Sequence, residues 1–112
     1  MGKDKAELLQ GTLDLLVLKT VDTLGPLHGW AIAKRIEQVA QDLLELKYGT
    51  LYPALMRLEQ NGWISSEWGT SENNRRARFY SITKHGRKQL TREAENWEQM
   101  AAFITRVLGT SR

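Results

Sequence analysis

No cysteine occurs among the 112 residues. That absence excludes a disulfide framework, a thiolate zinc site and a thiol nucleophile together, and it fits a reducing compartment. Only two histidines are present, His28 and His85. They fall in different segments with no carboxylate at ligand spacing beside either, so no metal site is expected. His28, next to Gly29, reads as a turn or cap residue, and His85 as a surface residue. No glycine-rich phosphate loop and no nucleophile elbow occurs. Glu93, Glu95 and Glu98 read as a solvated helix surface, since nothing suggests the burial an acid–base pair needs. Neither catalysis nor a cofactor is expected. The most apolar run, Leu13 to Leu18, contains Asp14 and is followed by Lys19, too short and polar for a membrane span or a signal-peptide core. Met1 to Ala6 is charged and lacks the Ser or Thr of a myristoylation signal. A soluble, cytoplasmic protein is the expectation.

What is present suits one small domain. The chain is 41% hydrophobic and 26% charged, enough apolar material for an independent core and too little net charge for disorder. The formal net charge is +3, but its placement is uneven. Residues 73–92 hold Arg75, Arg76, Arg78, Lys84, Arg87, Lys88 and Arg92 with no acidic residue among them, and the flanking segments are each slightly acidic. Such a cluster is either a solvated surface or a footprint for phosphates, which would relieve its self-repulsion.

The hydrophobic period changes along the chain. Leu9, Leu13, Leu16, Val17, Val21 and Leu24 recur at three- and four-residue steps, one face of a helix over Leu8–Leu24 whose first turn can begin at Thr12, after Gly11. Gly25 and Pro26 stop it. A second helix fits His28–Ala40, with Ile32, Ala33, Ile36 and Val39 inward. A third fits Thr50–Gln60, its buried side Leu51, Leu55 and Leu58, with Pro53 placed in the first turn. Asn61-Gly62 ends it. The pattern then alternates: Ile64, Ser66 and Trp68 share one side of a strand, residues 70–74 are turn chemistry, and Arg76–Ile82 returns as the second strand. Thr83 caps a last helix to about Leu108.

This order predicts a mainly α (α+β) fold, a winged helix–turn–helix with a two-stranded β-hairpin wing over residues 1–83, and a C-terminal dimerisation helix over 84–112 packed on the same domain. The third helix would offer its outer face to the major groove of double-stranded DNA. Thr50, Pro53, Met56, Arg57 and Gln60 lie opposite its leucines, flanked by Tyr48 and Tyr52. The tyrosines either touch DNA or cover the core edge. Arg75, Arg76 and Arg78 sit at the hairpin tip and returning strand, with Arg76 and Arg78 on one face, placed to clamp phosphates or enter the minor groove. Lys84 and Arg87 would reinforce them. The candidate DNA-binding set is therefore Tyr48, Thr50, Tyr52, Arg57, Arg75, Arg76, Arg78 and Lys84.

In the last helix Leu90, Ala94, Trp97, Ala101, Ile104 and Leu108 step by four and three, a heptad seam, and Met100, Phe103 and Val107 add a second apolar stripe. One stripe would pack on the first helix and the other on a partner subunit. A homodimer would present two recognition helices to a pseudo-palindromic operator; the competing reading packs the whole helix within the monomer. The rival to DNA binding is a winged helix used as a protein–protein interaction module, its wing charge meeting an acidic partner.

Gly11 to Leu18, Gly25 to Trp30, Gly49 to Leu55, Arg57 to Glu59, Gly62 to Ile64 and Arg75 to Thr83 together resemble the PadR family of bacterial transcriptional regulators. The resemblance covers about Leu8 to Trp97. Its specific part is the helix Leu51-Tyr52-Pro53-Ala54-Leu55 followed by an arginine-rich hairpin ending Tyr80-Ser81-Ile82-Thr83. A single C-terminal helix is similar to the short members. The resemblance implies a dimeric repressor released by a small molecule or a stress signal, with Tyr52 and the hairpin arginines on the DNA backbone and the last helix making the dimer. It also implies a flat pocket between subunits for a small hydrophobic effector, lined by an aromatic of the last helix. Trp97 stands at that place, although an aromatic there is also plain interface core. Ala77 interrupts a run that is often basic throughout in the family, and Asn73-Asn74 stands where glycines are common.

Overall fold

A computed structural model describes residues 2–41 and 43–109, with side chains described from residue 12 onward. The element order is α1 (Gly2–Leu24), β1 (Leu27–His28), α2 (Gly29–Ala40), α3 (Tyr48–Gln60), β2 (Ile64–Thr70), β3 (Arg76–Ile82) and α4 (Lys84–Leu108). α1 begins well before Thr12 and runs through Gly11; the expectation for Leu9 falls outside the described side chains. Gly25, at φ 80°, ends the helix.

The turn at Pro26 leads into a short strand that the sequence pattern does not reveal. Leu27 pairs with Tyr80 and His28 with Phe79, so β1 makes the hairpin a three-stranded antiparallel sheet in the order β1-β3-β2. Two residues are too few for alternation to register. His28 then caps α2, its Nδ1 accepting from the Ala31 N–H. Gln41 closes α2 in the left-handed region. The Leu46 N–H donates to Glu37 Oε2 at 2.7 Å, which holds the connecting segment against α2 while Leu46 enters the core.

α3 starts at Tyr48, two residues before the expected Thr50. Pro53 therefore lies in its second turn and leaves the Gly49 carbonyl without an i+4 donor. The end of α3 is a Schellman arrangement: Trp63 N–H to Leu58 O and Gly62 N–H to Glu59 O, both 3.0 Å, with Gly62 at φ 77°. β2 and β3 pair from Ile64–Ile82 at the base to Thr70–Arg76 at the tip. Asn74 takes the left-handed conformation at the turn, φ 60°.

The core lies where α1, α2, α3 and the sheet base meet: Leu13, Val17, Leu18, Val21, Ile32, Ile36, Leu51, Leu55, Leu58, Ile64 and Tyr80 are buried there. Each such side chain contributes about 1.5–3 kcal/mol relative to its exposed state. Val39 and Leu24 do not join them. Val39 is 65% exposed, because nothing packs outside the α1–α2 pair at that end.

Thr83 docks α4. Its hydroxyl accepts from the Gly86 N–H at 2.9 Å and donates to the Gly62 carbonyl at 2.7 Å. Gly86 lies so close to the Trp63 carbonyl that a Cβ would overlap it. Leu90, expected in the dimer seam, is instead buried in the chain's own core. From Ala94 to Leu108 no residue of α4 is buried.

Candidate nucleic-acid interface

Two elements converge on one side of the molecule. α3 turns Thr50, Tyr52, Pro53, Met56 and Gln60 outward, because its leucine face is consumed by the core. Beside it stands the sheet face formed by Ile64, Ser66, Trp68 and Thr70 of β2 with Ile82, Tyr80, Arg78 and Arg76 of β3, cross-strand partners whose side chains share a face. That face is graded: Ile64 and Tyr80 are buried at the base, and Trp68, Arg76 and Arg78 are exposed toward the tip.

The wing arginines are ordered by their neighbours. The Arg76 and Arg78 guanidinium carbons lie 4.8 and 5.1 Å from the Trp68 ring centre, within cation–π range. Arg78 Nε also donates to Ser66 Oγ at 2.9 Å, and Ser66 donates in turn to Glu59 Oε2 of α3 at 2.7 Å. This chain of bonds ties the wing to α3. Trp68, expected as packing, is 56% exposed and lies within cation–π range of both arginines. Pairing Trp68 with Arg78 by counting back from the turn is the signal that could have found it. Trp30 is likewise exposed, with Lys34 Nζ 5.4 Å from its ring centre, whereas Trp63 packs against the core.

Tyr48 and Tyr52 lie with ring centres 5.3 Å apart. Gly29 makes room for the Tyr48 ring, which would stand 3.0 Å from a Cβ there. Burial, and secondarily the neighbouring Tyr52, raises the Tyr48 pKa. The Tyr80 pKa is raised by burial, then by Tyr48, Glu59 and Tyr52, with Arg78 opposing. Both phenols are thus held neutral, the form that donates a hydrogen bond.

Other expected residues are separated from this group. Arg57 bonds Asp14 Oδ1 of α1 at 2.6 Å, which turns it toward the α1–α3 contact and away from the outward face; its wheel position alone does not reveal that partner. Arg75 is exposed at the turn, where its N–H donates to Ser71 Oγ at 3.3 Å. Lys84 begins α4 beyond the base of the sheet, and β3 alone puts about 20 Å between Arg76 and Ile82 at the rise of a β-strand. Arg87 pairs with Asp22 at 3.3 Å. The basic run of residues 73–92 is therefore two patches, one at the wing tip and one along α4.

Among the described residues no group of His, Asp and Glu could hold a metal ion, and no helix is long and apolar enough to cross a membrane. An apolar groove of about 610 Å³ opens between α1 and α2; Trp97 does not line it.

Comparisons with known proteins agree with this geometry. The sequence profile described as "Transcriptional regulator PadR-like family" matches residues 17–92. A solved transcriptional regulator from Clostridium thermocellum is 33% identical, with 89% of this chain and 93% of that one covered and a TM-score of 0.79. A PadR family transcriptional regulator from Eggerthella lenta is 28% identical over 94% of this chain and 88% of its own, TM-score 0.78. Protein X of Lysinibacillus sphaericus is 23% identical over 100 residues, 89% of this chain and 91% of that protein.

Proposed function

This chain belongs to the PadR-like family of transcriptional regulators, and from that premise we propose that it is a dimeric repressor of a pseudo-palindromic operator. Its function is DNA-binding regulation of transcription, not catalysis. The observation that carries the finer reading is the wing: Arg76 and Arg78 flank Trp68 on the sheet face that continues into the outer side of α3. Tyr48, Thr50 and Tyr52 would meet the groove edge, and Arg75, Arg76 and Arg78 the flanking phosphates, with Lys84 engaging backbone further along the site. Arg57 is committed to Asp14, so the recognition face is short of bidentate base readers. Affinity then rests mainly on phosphates, and specificity on a few α3 side chains and on DNA shape.

The seam Ala94, Trp97, Ala101, Ile104 and Leu108 would pair two copies and set the half-site spacing. A small hydrophobic effector against Trp97 at that junction would release the repressor. The protein would act in the cytoplasm, where its operator lies.

The test is fluorescence anisotropy with the duplex upstream of the chain's own coding region, beside a scrambled duplex, across a salt series. Native-duplex preference with a steep salt slope is expected. Arg76→Ala with Arg78→Ala should weaken both duplexes together and flatten the salt slope by about 2. Undiminished affinity in that variant would remove the wing from the interface. Binding to neither duplex at low salt would favour the protein-interaction reading.

A further inference from the structure

The hairpin changes character partway along its length. β1 covers only the base, where Leu27 pairs with Tyr80 and His28 with Phe79. The next pair outward, Trp68–Arg78, has no third strand beside it, and from there to Thr70–Arg76 the wing is a two-stranded ribbon. Such ribbons twist more strongly than wider sheets and have little stability of their own. The bonds from Glu59 through Ser66 to Arg78 cross that boundary. Ser66 stands opposite Tyr80 in the three-stranded base, and Arg78 is the first β3 residue beyond it.

We propose that Glu59 is a positioning residue for DNA recognition, holding Arg78 through Ser66 so that the wing stands at one fixed spacing from the outer face of α3. This inference rests on the DNA-binding reading above and adds what sets the place of its wing contacts.

The Ser66 hydroxyl has one proton, which goes to Glu59 Oε2 at 2.7 Å, while its oxygen accepts from Arg78 Nε at 2.9 Å. A cation at one end and a carboxylate at the other make both bonds charge-assisted and mutually reinforcing. Arg78 Nη2 also lies 4.0 Å from Glu59 Oε2, and the guanidinium carbon 5.1 Å from the Trp68 ring centre. One guanidinium is thereby fixed from two sides. Arg76 has the Trp68 ring at 4.8 Å and no ion pair among the described residues. The two arginines therefore differ: Arg76 can follow a phosphate, whereas Arg78 meets one from a set position.

Neither helix stability nor DNA affinity accounts for a carboxylate at residue 59. Glu59 sits in the last turn of α3, at the negative end of the helix dipole, where a cation is favoured. It also stands beside an arginine proposed to engage phosphates, which the carboxylate would repel. The Arg78 and Glu59 side chains are 41% and 37% exposed, so the pair adds little to stability. What remains is geometry, a short tether between the element that faces the groove and the one that grips the flank. Specific binding needs both contacts at once, whereas binding to arbitrary DNA needs only charge.

The test compares two duplexes on the full chain: one enriched from a random-sequence pool by the unsubstituted protein, and a scrambled version of it. Glu59→Ala should lower the ratio of the two affinities about tenfold, the size of one lost base contact. Its affinity for the scrambled duplex should hold or rise, since a charge that repels phosphates is gone. Ser66→Ala keeps that charge and should lower the ratio in the same direction. The double variant should fall no further than Glu59→Ala alone, because both residues act in one path. Wing placement is read separately, with spin labels at Gln38→Cys on α2 and Asn73→Cys at the turn, both exposed positions in a chain without cysteine. Dilution into unlabelled protein keeps the measured distance within one copy, and its distribution should broaden in both variants. Equal weakening of both duplexes, a ratio unchanged in both variants, or an unchanged distance distribution would leave the bonds a local structural feature and overturn the inference. If the unsubstituted protein enriches no duplex from the pool, the DNA-binding reading falls first and the inference with it.

Discussion

The two halves of α4 carry similar apolar patterns and have opposite fates. Lys84–Leu90 is locked to the domain by the Thr83 hydroxyl, by Gly86 under the Trp63 carbonyl and by Leu90 in the core. Beyond it, Trp97, Phe103, Ile104 and Leu108 are at least as apolar yet stay exposed. Periodicity says which side of a helix is apolar; only the reach of other elements decides whether that side becomes core. The docked half serves the monomer, and the free half is an extended exposed apolar surface.

The sharpest way to break this contrast is Gly86→Ala. The added Cβ meets backbone at Trp63, which cannot rotate away, so a loss of about 3 kcal/mol is expected despite the better helix former. It is read from the urea midpoint. Next comes a matched pair. Leu90→Ala should cost about 2–3 kcal/mol, and Leu108→Ala less than about 0.5 kcal/mol at concentrations where the chain is monomeric. Equal losses would mean the distal half is packed on its own domain after all. Ile104→Asp or Trp97→Arg should keep the monomer's denaturation midpoint and halve the mass seen by light scattering; an unchanged mass would defeat the seam. Thr83→Ala, losing a cap and the bond to Gly62, should cost about 1 kcal/mol.

The same contrast explains how much was legible beforehand. Leu51, Leu55 and Leu58, the hairpin strands, the Thr83 cap and the cap at His28 follow from local periods and turn chemistry, and all stand in the structure. What stayed hidden depends on contacts remote in sequence. Arg57 lies 43 residues from Asp14, and the Glu59–Ser66–Arg78 chain joins a helix to two strands. Leu90 fits the seam's spacing as well as Ala94 does, yet only Leu90 meets the core. The charge run of residues 73–92 is continuous in sequence, but a strand at extended rise carries Lys84 away from Arg76.

The face shared by α3 and the sheet repeats the contrast on a smaller scale, between the outward tyrosines of α3 and Tyr80, which is 4% exposed at the base of the wing. Burial is the first cause of its raised pKa, and the crowd of Tyr48, Glu59 and Tyr52 adds to it. A raised pKa means the folded state holds the neutral phenol more firmly than the unfolded chain does. That stabilisation is complete below the unfolded value of about 10 and is lost as pH rises through the higher folded value. Urea midpoints taken from pH 8 upward should therefore fall above about pH 10, and Tyr80→Phe should flatten that fall without abolishing it, because Tyr48 is raised as well. Parallel curves for the two proteins would mean that the Tyr80 phenolate is accommodated at the wing base, and that the wing is less tightly seated on α3 than the Glu59–Ser66–Arg78 chain implies.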